Sequence, residues 1–229
     1  MPRICVTSVN FFSGCYTDLG VRLATRYLFS RYGGRVATKD DLAELCSRFS
    51  VDLDYFVNYV IRYGYVVRVL RGLYYVRTVE EFKLGRAPDV LRVLALGMER
   101  LGVRWYFGLY TALRLGGVTH EYYDVVFVIS DSIYRPKPVR VAGERVRFVK
   151  VKPRLMSFGL VRKNGLVYSD LEKTILDFTY LSRYGSIPRE RAVAVLREHA
   201  DALNRERLAE YVKRYPKTVR GVLRDEGLL

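Results

Sequence analysis

The 229-residue sequence has no glutamine, four asparagines, two histidines, three cysteines and one tryptophan. Each shortage closes off a class of protein. His120 and His199 stand far apart, and no Cys/His cluster has the spacing of a zinc site, so no metal or cofactor is expected. No glycine-rich phosphate loop and no Gly-x-Ser-x-Gly elbow occurs. No apolar run reaches the roughly 20 residues that a membrane helix needs. The opening MPRICVTSVNFFSGCYTD lacks the long apolar run and the small-residue cleavage site of a signal peptide. A cytoplasmic location with no membrane partner is therefore expected. Scarcity of thermolabile amides is a tendency of hyperthermophile proteins and points to a thermophilic, archaeal source. Such a cytosol tolerates disulfides, so a Cys5–Cys15 bridge is an alternative to three unpaired thiols at Cys5, Cys15 and Cys46.

Half of the residues are apolar, enough for one or two cored domains. The net charge of +15 and the pI near 9.8 favour an acidic partner. Divided into three successive segments, the excess is spread along the chain. Residues 1–88 carry 13 Lys/Arg against 8 Asp/Glu, residues 89–182 carry 15 against 9, and residues 183–229 carry 11 against 7.

Residues 37–78 have the outline of a helix-turn-helix with a wing. Thr38 can cap a first helix, with Asp40 and Asp41 at its positive end and Leu42, Leu45, Cys46 and Phe49 on one face. Ser50 or Asp52 can cap a second helix, from about Leu53 to Tyr63. Its apolar stripe is Leu53, Phe56, Val57, Val60 and Ile61, and its outer face holds Asp54, Tyr55, Asn58, Tyr59, Arg62 and Tyr63. Gly64 suits a left-handed helix end. Two β-rich runs, 65–70 and 73–76, are joined by Arg71-Gly72 as a tight turn. Asn58, Tyr59 and Arg62 are placed to read a DNA groove, and Lys39, Tyr55, Arg68 and Arg71 to meet phosphates. The plainer reading is a winged helix that grips a protein, since Asp52 and Asp54 would repel phosphate.

Ahead of this unit, Ile4 to Val6 suits a short strand. Thr17 or Asp18 suits the start of a helix to about Tyr32, with Leu19, Leu23, Tyr27 and Leu28 inward and Arg22 and Arg26 outward. Residues 84–88 read as a linker. Asp89 opens a helix to about Leu101, and Trp105 to Leu115 reads as a buried helix. Residues 124–131 suit a strand covered on both faces. Residues 139–152 read as a hairpin whose second strand alternates basic with apolar residues, and a further hairpin turns through Lys163-Asn164-Gly165. Ser169-Asp170-Leu171-Glu172 has the capping-box pattern, and three more helices follow, at about 188–200, 204–215 and 218–228. The expected fold class is α+β, with a winged helix-turn-helix over residues 1–83 and a mixed α/β domain over residues 84–229.

No catalytic residue is assigned. The sharpest enzyme alternative is a metal-dependent nuclease built from Asp170, Glu172 and Asp177 with Lys173. At about 100° per helical residue, however, Glu172 points away from the other two carboxylates.

Three segments carry a family resemblance. YFGLYTALRLGGVT (106–119), VYSDLEKTILD (167–177) and VLRGLY (69–74) resemble, in that order, a helix, a helix start and the wing of AbiEi-type antitoxins. The resemblance implies a winged helix that binds operator DNA and represses its own operon. It also implies a C-terminal domain that counters a nucleotidyltransferase-like toxin in type IV, abortive-infection fashion. A homodimer would match a two-fold operator, although nothing in the sequence fixes an oligomeric state. The rival reading is a protein-interaction module that binds a partner without DNA.

Overall fold

The computed structural model describes residues 13–121 and 123–229. The expectations for the first residues and for a Cys5–Cys15 bridge lie outside them. The chain divides into two compact units, one through Asp89 and one from Val90. The expected boundary at 83/84 falls six residues earlier.

The first unit opens with α1 (Ser13–Tyr32), β1 (Val36–Thr38) and α2 (Lys39–Arg48). Then come α3 (Leu53–Arg62), β2 (Val66–Leu70), β3 (Leu73–Val76) and a short α4 (Val79–Lys83). The strands pair antiparallel in the order β1-β3-β2. A helix, a short strand, two helices and a two-stranded ribbon in this order make a winged helix-turn-helix.

The local reasons are visible in the chain. Thr38 starts α2 with a full capping box: its hydroxyl accepts from the Asp41 N–H at 3.1 Å, and the Asp41 carboxylate accepts from the Thr38 N–H at 2.7 Å. Asp52, rather than Ser50, caps α3 by accepting from the Tyr55 N–H at 2.8 Å. Gly64 and Gly72 take φ of 70° and 77°, which end α3 and close the ribbon. A second box, Thr78 with Glu81, starts α4, and the Tyr75 hydroxyl donates to the same Glu81 carboxylate at 3.0 Å.

The core of this unit joins Val21, Ala24 and Leu28 of α1 to Leu42, Leu45, Cys46, Phe56, Val60 and Val76. Two details differ from the expected helix α1. It begins four residues before Thr17, and its inward stripe is Val21-Ala24-Leu28, leaving Leu19 and Leu23 57% and 42% exposed. Both stripes have helical spacing, but only one runs beside Gly20. A Cβ at Gly20 would stand 2.9 Å from the Phe49 carbonyl oxygen, so the small-residue side is the one that approaches the end of α2.

The second unit comprises α5 (Val90–Arg100), β4 (Trp105–Phe107), α6 (Leu109–Leu115), β5 (Val125–Ser130), β6 (Val139–Val141) and β7 (Glu144–Lys150). After these come β8 (Leu160–Lys163), β9 (Leu166–Ser169), α7 (Leu171–Ser182), α8 (Arg189–Glu198), α9 (Arg205–Tyr211) and α10 (Lys217–Asp225). Its mixed sheet has the order β6-β7-β5-β4-β9-β8, with β5/β7 and β4/β9 parallel and the other pairs antiparallel. The α+β class is thus observed, with a mixed sheet confined to the second unit.

The expected helix over residues 105–115 is a strand followed by a helix. Trp105, Tyr106 and Phe107 are β-favouring aromatics, and all three are buried in the centre of the sheet between β5 and β9. Gly108 makes the break, because a Cβ there would collide with the Ile129 side chain. Leu109 follows at φ 55°, a left-handed step that lets α6 turn away from the strand.

Candidate nucleic-acid interface

The turn between α2 and α3 sets the site. Phe56 and Val60 point into the core, so the opposite arc of α3 carries Asp54, Asn58, Ile61 and Arg62, with Tyr55 at its margin. Asn58 and Arg62 are exposed on successive turns, and Tyr55 is 58% exposed. Ile61, expected in the apolar stripe, sits at its outer edge and is partly exposed.

Tyr59 is not presented in the same way. It is half-buried, and its ring lies 4.6 Å from that of Tyr63 and 6.0 Å from that of Tyr65. Burial, followed by the neighbouring Tyr65, raises its pKa above the ordinary tyrosine value. Tyr55, Tyr59, Tyr63, Tyr65 and Phe82 form a run of ring contacts along that flank. Sequence reading missed this run because only its α3 members share a helical period.

The wing is short and tied down. Thr38 of β1 pairs with Leu73, and the Lys39 N–H donates to the Gly72 carbonyl at 2.8 Å. The ribbon tip therefore lies against the first residue of α2. Arg71 is exposed at that tip, and Arg68 is exposed on β2, opposite Tyr74. The Lys39 ammonium lies 3.8 Å from the Asp54 carboxylate on α3. Lys39, Arg71 and the start of α3 thus share one edge of the unit, while Arg62 stands at the far end of α3. Of the outward α1 arginines, Arg22 is held by Asp18 at 2.8 Å.

The carboxylates of the enzyme alternative are dispersed. Asp170, not Ser169, caps α7 by accepting from the Lys173 N–H at 2.9 Å, and it also accepts from the Tyr211 hydroxyl at 3.1 Å. Ser169 ends β9 and shares a 2.7 Å bond with the Thr174 hydroxyl. Glu172 does not close a capping box. Its carboxylate accepts from the Asn204 N–H at 2.9 Å and from Arg207 at 3.3 Å, which holds the start of α9. Asp177 is fully buried. It accepts from the Tyr215 hydroxyl at 2.6 Å and the Tyr106 hydroxyl at 2.7 Å, with the Lys173 ammonium 3.4 Å away. Lys173 is also fully buried, over the rings of Phe158 and Tyr106 at 4.6 and 4.7 Å.

Burial pulls the Lys173 pKa below its ordinary value, and Asp177 partly opposes this. Burial and then Asp177 push Tyr106 and Tyr215 well above theirs. Among the described residues no three His, Cys, Asp or Glu side chains are gathered as a metal site would require. His120 is exposed, and His199 is buried with its Nε2 3.9 Å from the Glu198 carboxylate. No described helix is long and apolar enough to cross a membrane.

The geometry defines a winged-helix unit followed by a unit with a mixed sheet. This two-unit fold is similar to the crystal structure of the RV2827C protein from Mycobacterium tuberculosis, with a TM-score of 0.56 over 88% of this chain and 73% of that one. The two sequences are 15% identical, so the likeness is one of fold alone. No protein-family model and no curated protein matches the chain.

Proposed function

We propose that the protein is a DNA-binding transcriptional repressor of its own operon, with the role of a type IV antitoxin toward a nucleotidyltransferase-like toxin. The observation that carries the DNA reading is the exposed arc of α3 with Asn58 and Arg62, together with a wing tip that holds Arg71 beside Lys39. Asn and Arg can bond adenine and guanine edges, and the wing cations can meet phosphates on either side. The antitoxin part rests on the AbiEi-like segments. Two of them meet in the second unit, where Phe107 of one pairs in parallel with Tyr168 of the other, and Tyr106 donates to Asp177. These residues serve the frame of the unit, so the toxin contact would lie on its surface.

The test is a gel-shift series with DNA from upstream of the protein's own coding region. A discrete complex is expected, lost in an Arg62→Ala/Arg71→Ala variant. Equal affinity in that variant would exclude this face. Co-expression with the product of the adjacent gene tests the antitoxin part through rescue of growth.

One observation favours a second reading. Tyr55, Ile61 and Tyr63 leave apolar surface exposed on and beside α3, as a protein-docking helix would. Capture of the neighbouring gene product without any DNA shift would support it.

A further inference from the structure

The densest positive charge of the chain is not in the winged helix. Residues 135–152 hold seven lysines and arginines against one carboxylate, Glu144, a net charge of +6. The whole first unit through Asp89 holds 13 against 9, a net +4. The spread over three long segments hides this concentration, and the fold places it on β6, β7 and the segments that flank them.

The arrangement is built rather than scattered. Arg140 of β6 stands directly opposite Arg145 of β7, a cross-strand pairing of like charges that destabilises a sheet. Arg147 lies two residues along the same face of β7, half-buried, whereas Lys150 at the strand end alternates to the other face and is not part of this cluster. Among the described residues, Arg145 pairs with Asp124 at 2.6 Å and Arg104 with Asp131 at 2.7 Å. Among the described residues these leave Arg135, Lys137, Arg140, Arg147, Lys150 and Lys152 without a carboxylate partner.

Protection of a sheet edge does not account for them. Pro136 and Pro138 stand just before the edge strand β6, where proline already blocks further pairing. Arg145 and Arg147 belong to β7, which is paired on both sides. We propose that the β6–β7 ribbon and its flanks are a second nucleic-acid surface, which binds phosphodiester backbone without reading sequence. Nucleic acid is favoured over an acidic protein because protein interfaces are anchored by buried aromatic and aliphatic groups. Residues 135–152 expose no large apolar side chain, and Tyr134 stands just before them.

The surface acts independently of the winged helix, and the test separates the two. Affinity of the full chain for a labelled duplex of arbitrary sequence is measured by anisotropy across a salt series. The variants are Arg135→Gln/Lys137→Gln/Arg140→Gln, the same set with Arg147→Gln added, and Arg62→Ala/Arg71→Ala. The triple variant changes only exposed side chains, so its fold is safe even if the Arg147 change is not. The wild-type plot of log affinity against log salt should lose about 2 to 3 units of slope in the triple variant, at about 0.9 per phosphate contact. Arg→Lys versions at Arg140 and Arg147 should keep the slope. The Arg62→Ala/Arg71→Ala variant should retain most of the arbitrary-sequence binding. An unchanged slope in the triple variant overturns the proposal and leaves the winged-helix reading untouched. Polyglutamate binding as tight as that of the duplex also overturns it, in favour of an acidic protein partner.

Discussion

The Tyr215 hydroxyl donates to Asp177 Oδ1 at 2.6 Å, tying the segment before α10 to the middle of α7 in the interior of the second unit. Tyr106 meets the other carboxylate oxygen from β4. One buried carboxylate thus joins a sheet strand, a central helix and the C-terminal helices, with Lys173 as its counter-charge.

Removing one member should leave a charge stranded. Asp177→Ala is expected to destabilise the protein by about 3 to 5 kcal/mol, the range for breaking a buried pair. Lys173→Met/Asp177→Leu should recover much of that loss, because two apolar side chains replace a pair that needed desolvation. Urea unfolding of the single and double variants measures both. An Asp177→Ala protein as stable as the parent would show that this cluster does not hold the unit.

The same cluster should shape the alkaline limit. Tyr106 and Tyr215 keep their protons in the folded state above pH 10, where the unfolded chain loses them. Tyr123, Tyr180 and Tyr211, pushed up to about 12, behave likewise. The folded state then binds more protons than the unfolded one, so stability falls as pH rises through 10, by about 1.4 kcal/mol per pH unit for each of the buried Tyr106 and Tyr215 and by less for the others. Lys173 acts oppositely below 10.5, since its folded-state pKa is lowered. Tyr215→Phe should flatten the decline above pH 10, read from urea midpoints against pH.

Tyr59 and Asn58 should part company at the interface. Asn58→Ala is expected to weaken operator binding by about 1 to 3 kcal/mol, the range for a base-edge contact. Tyr59→Phe should leave affinity within error, because the side chain is half-buried against the rings of Tyr63 and Tyr65 rather than presented on the exposed arc. Asp54→Asn should tighten binding several-fold, because it frees Lys39 and removes a charge that repels phosphate. Gel shifts on the four proteins decide; a Tyr59→Phe loss as large as that of Asn58→Ala would mean that Tyr59 reads the groove after all.

Gly108→Ala should destabilise the second unit by about 1 to 3 kcal/mol, because the added methyl meets Ile129 in a packed core. Thermal unfolding reports it, and an unchanged midpoint would show that Ile129 can move aside.

The first unit was largely legible because its signals are local. Thr38, Asp52, Gly64 and Arg71-Gly72 each act within a few residues, and the structure places a cap, a helix end and a turn at these positions. What escaped depends on distance in sequence. Tyr106 and Asp177 are 71 residues apart, and Glu172 reaches Asn204 across 32. Nothing in Ser169-Asp170-Leu171-Glu172 tells a box from a tether to another helix. Trp105 to Phe107 escaped because three consecutive apolar residues have no period, and only the neighbours β5 and β9 make them a strand. The inward side of α1 was misread because two leucines outweigh a glycine and an alanine by hydrophobicity, while close approach rewards the smaller pair.

The bond from Lys39 to Gly72 has a consequence for geometry. A ribbon anchored by its tip to the start of the first turn-helix has no hinge of its own, and the Thr38–Leu73 register fixes how far it extends. The separation between the Arg71 backbone and the reading arc of α3 is then a ruler cut to one length. A duplex meeting both must match that spacing by its own groove dimensions. One residue inserted between Arg71 and Gly72 would change the length of the ruler without touching a single side chain that reads a base.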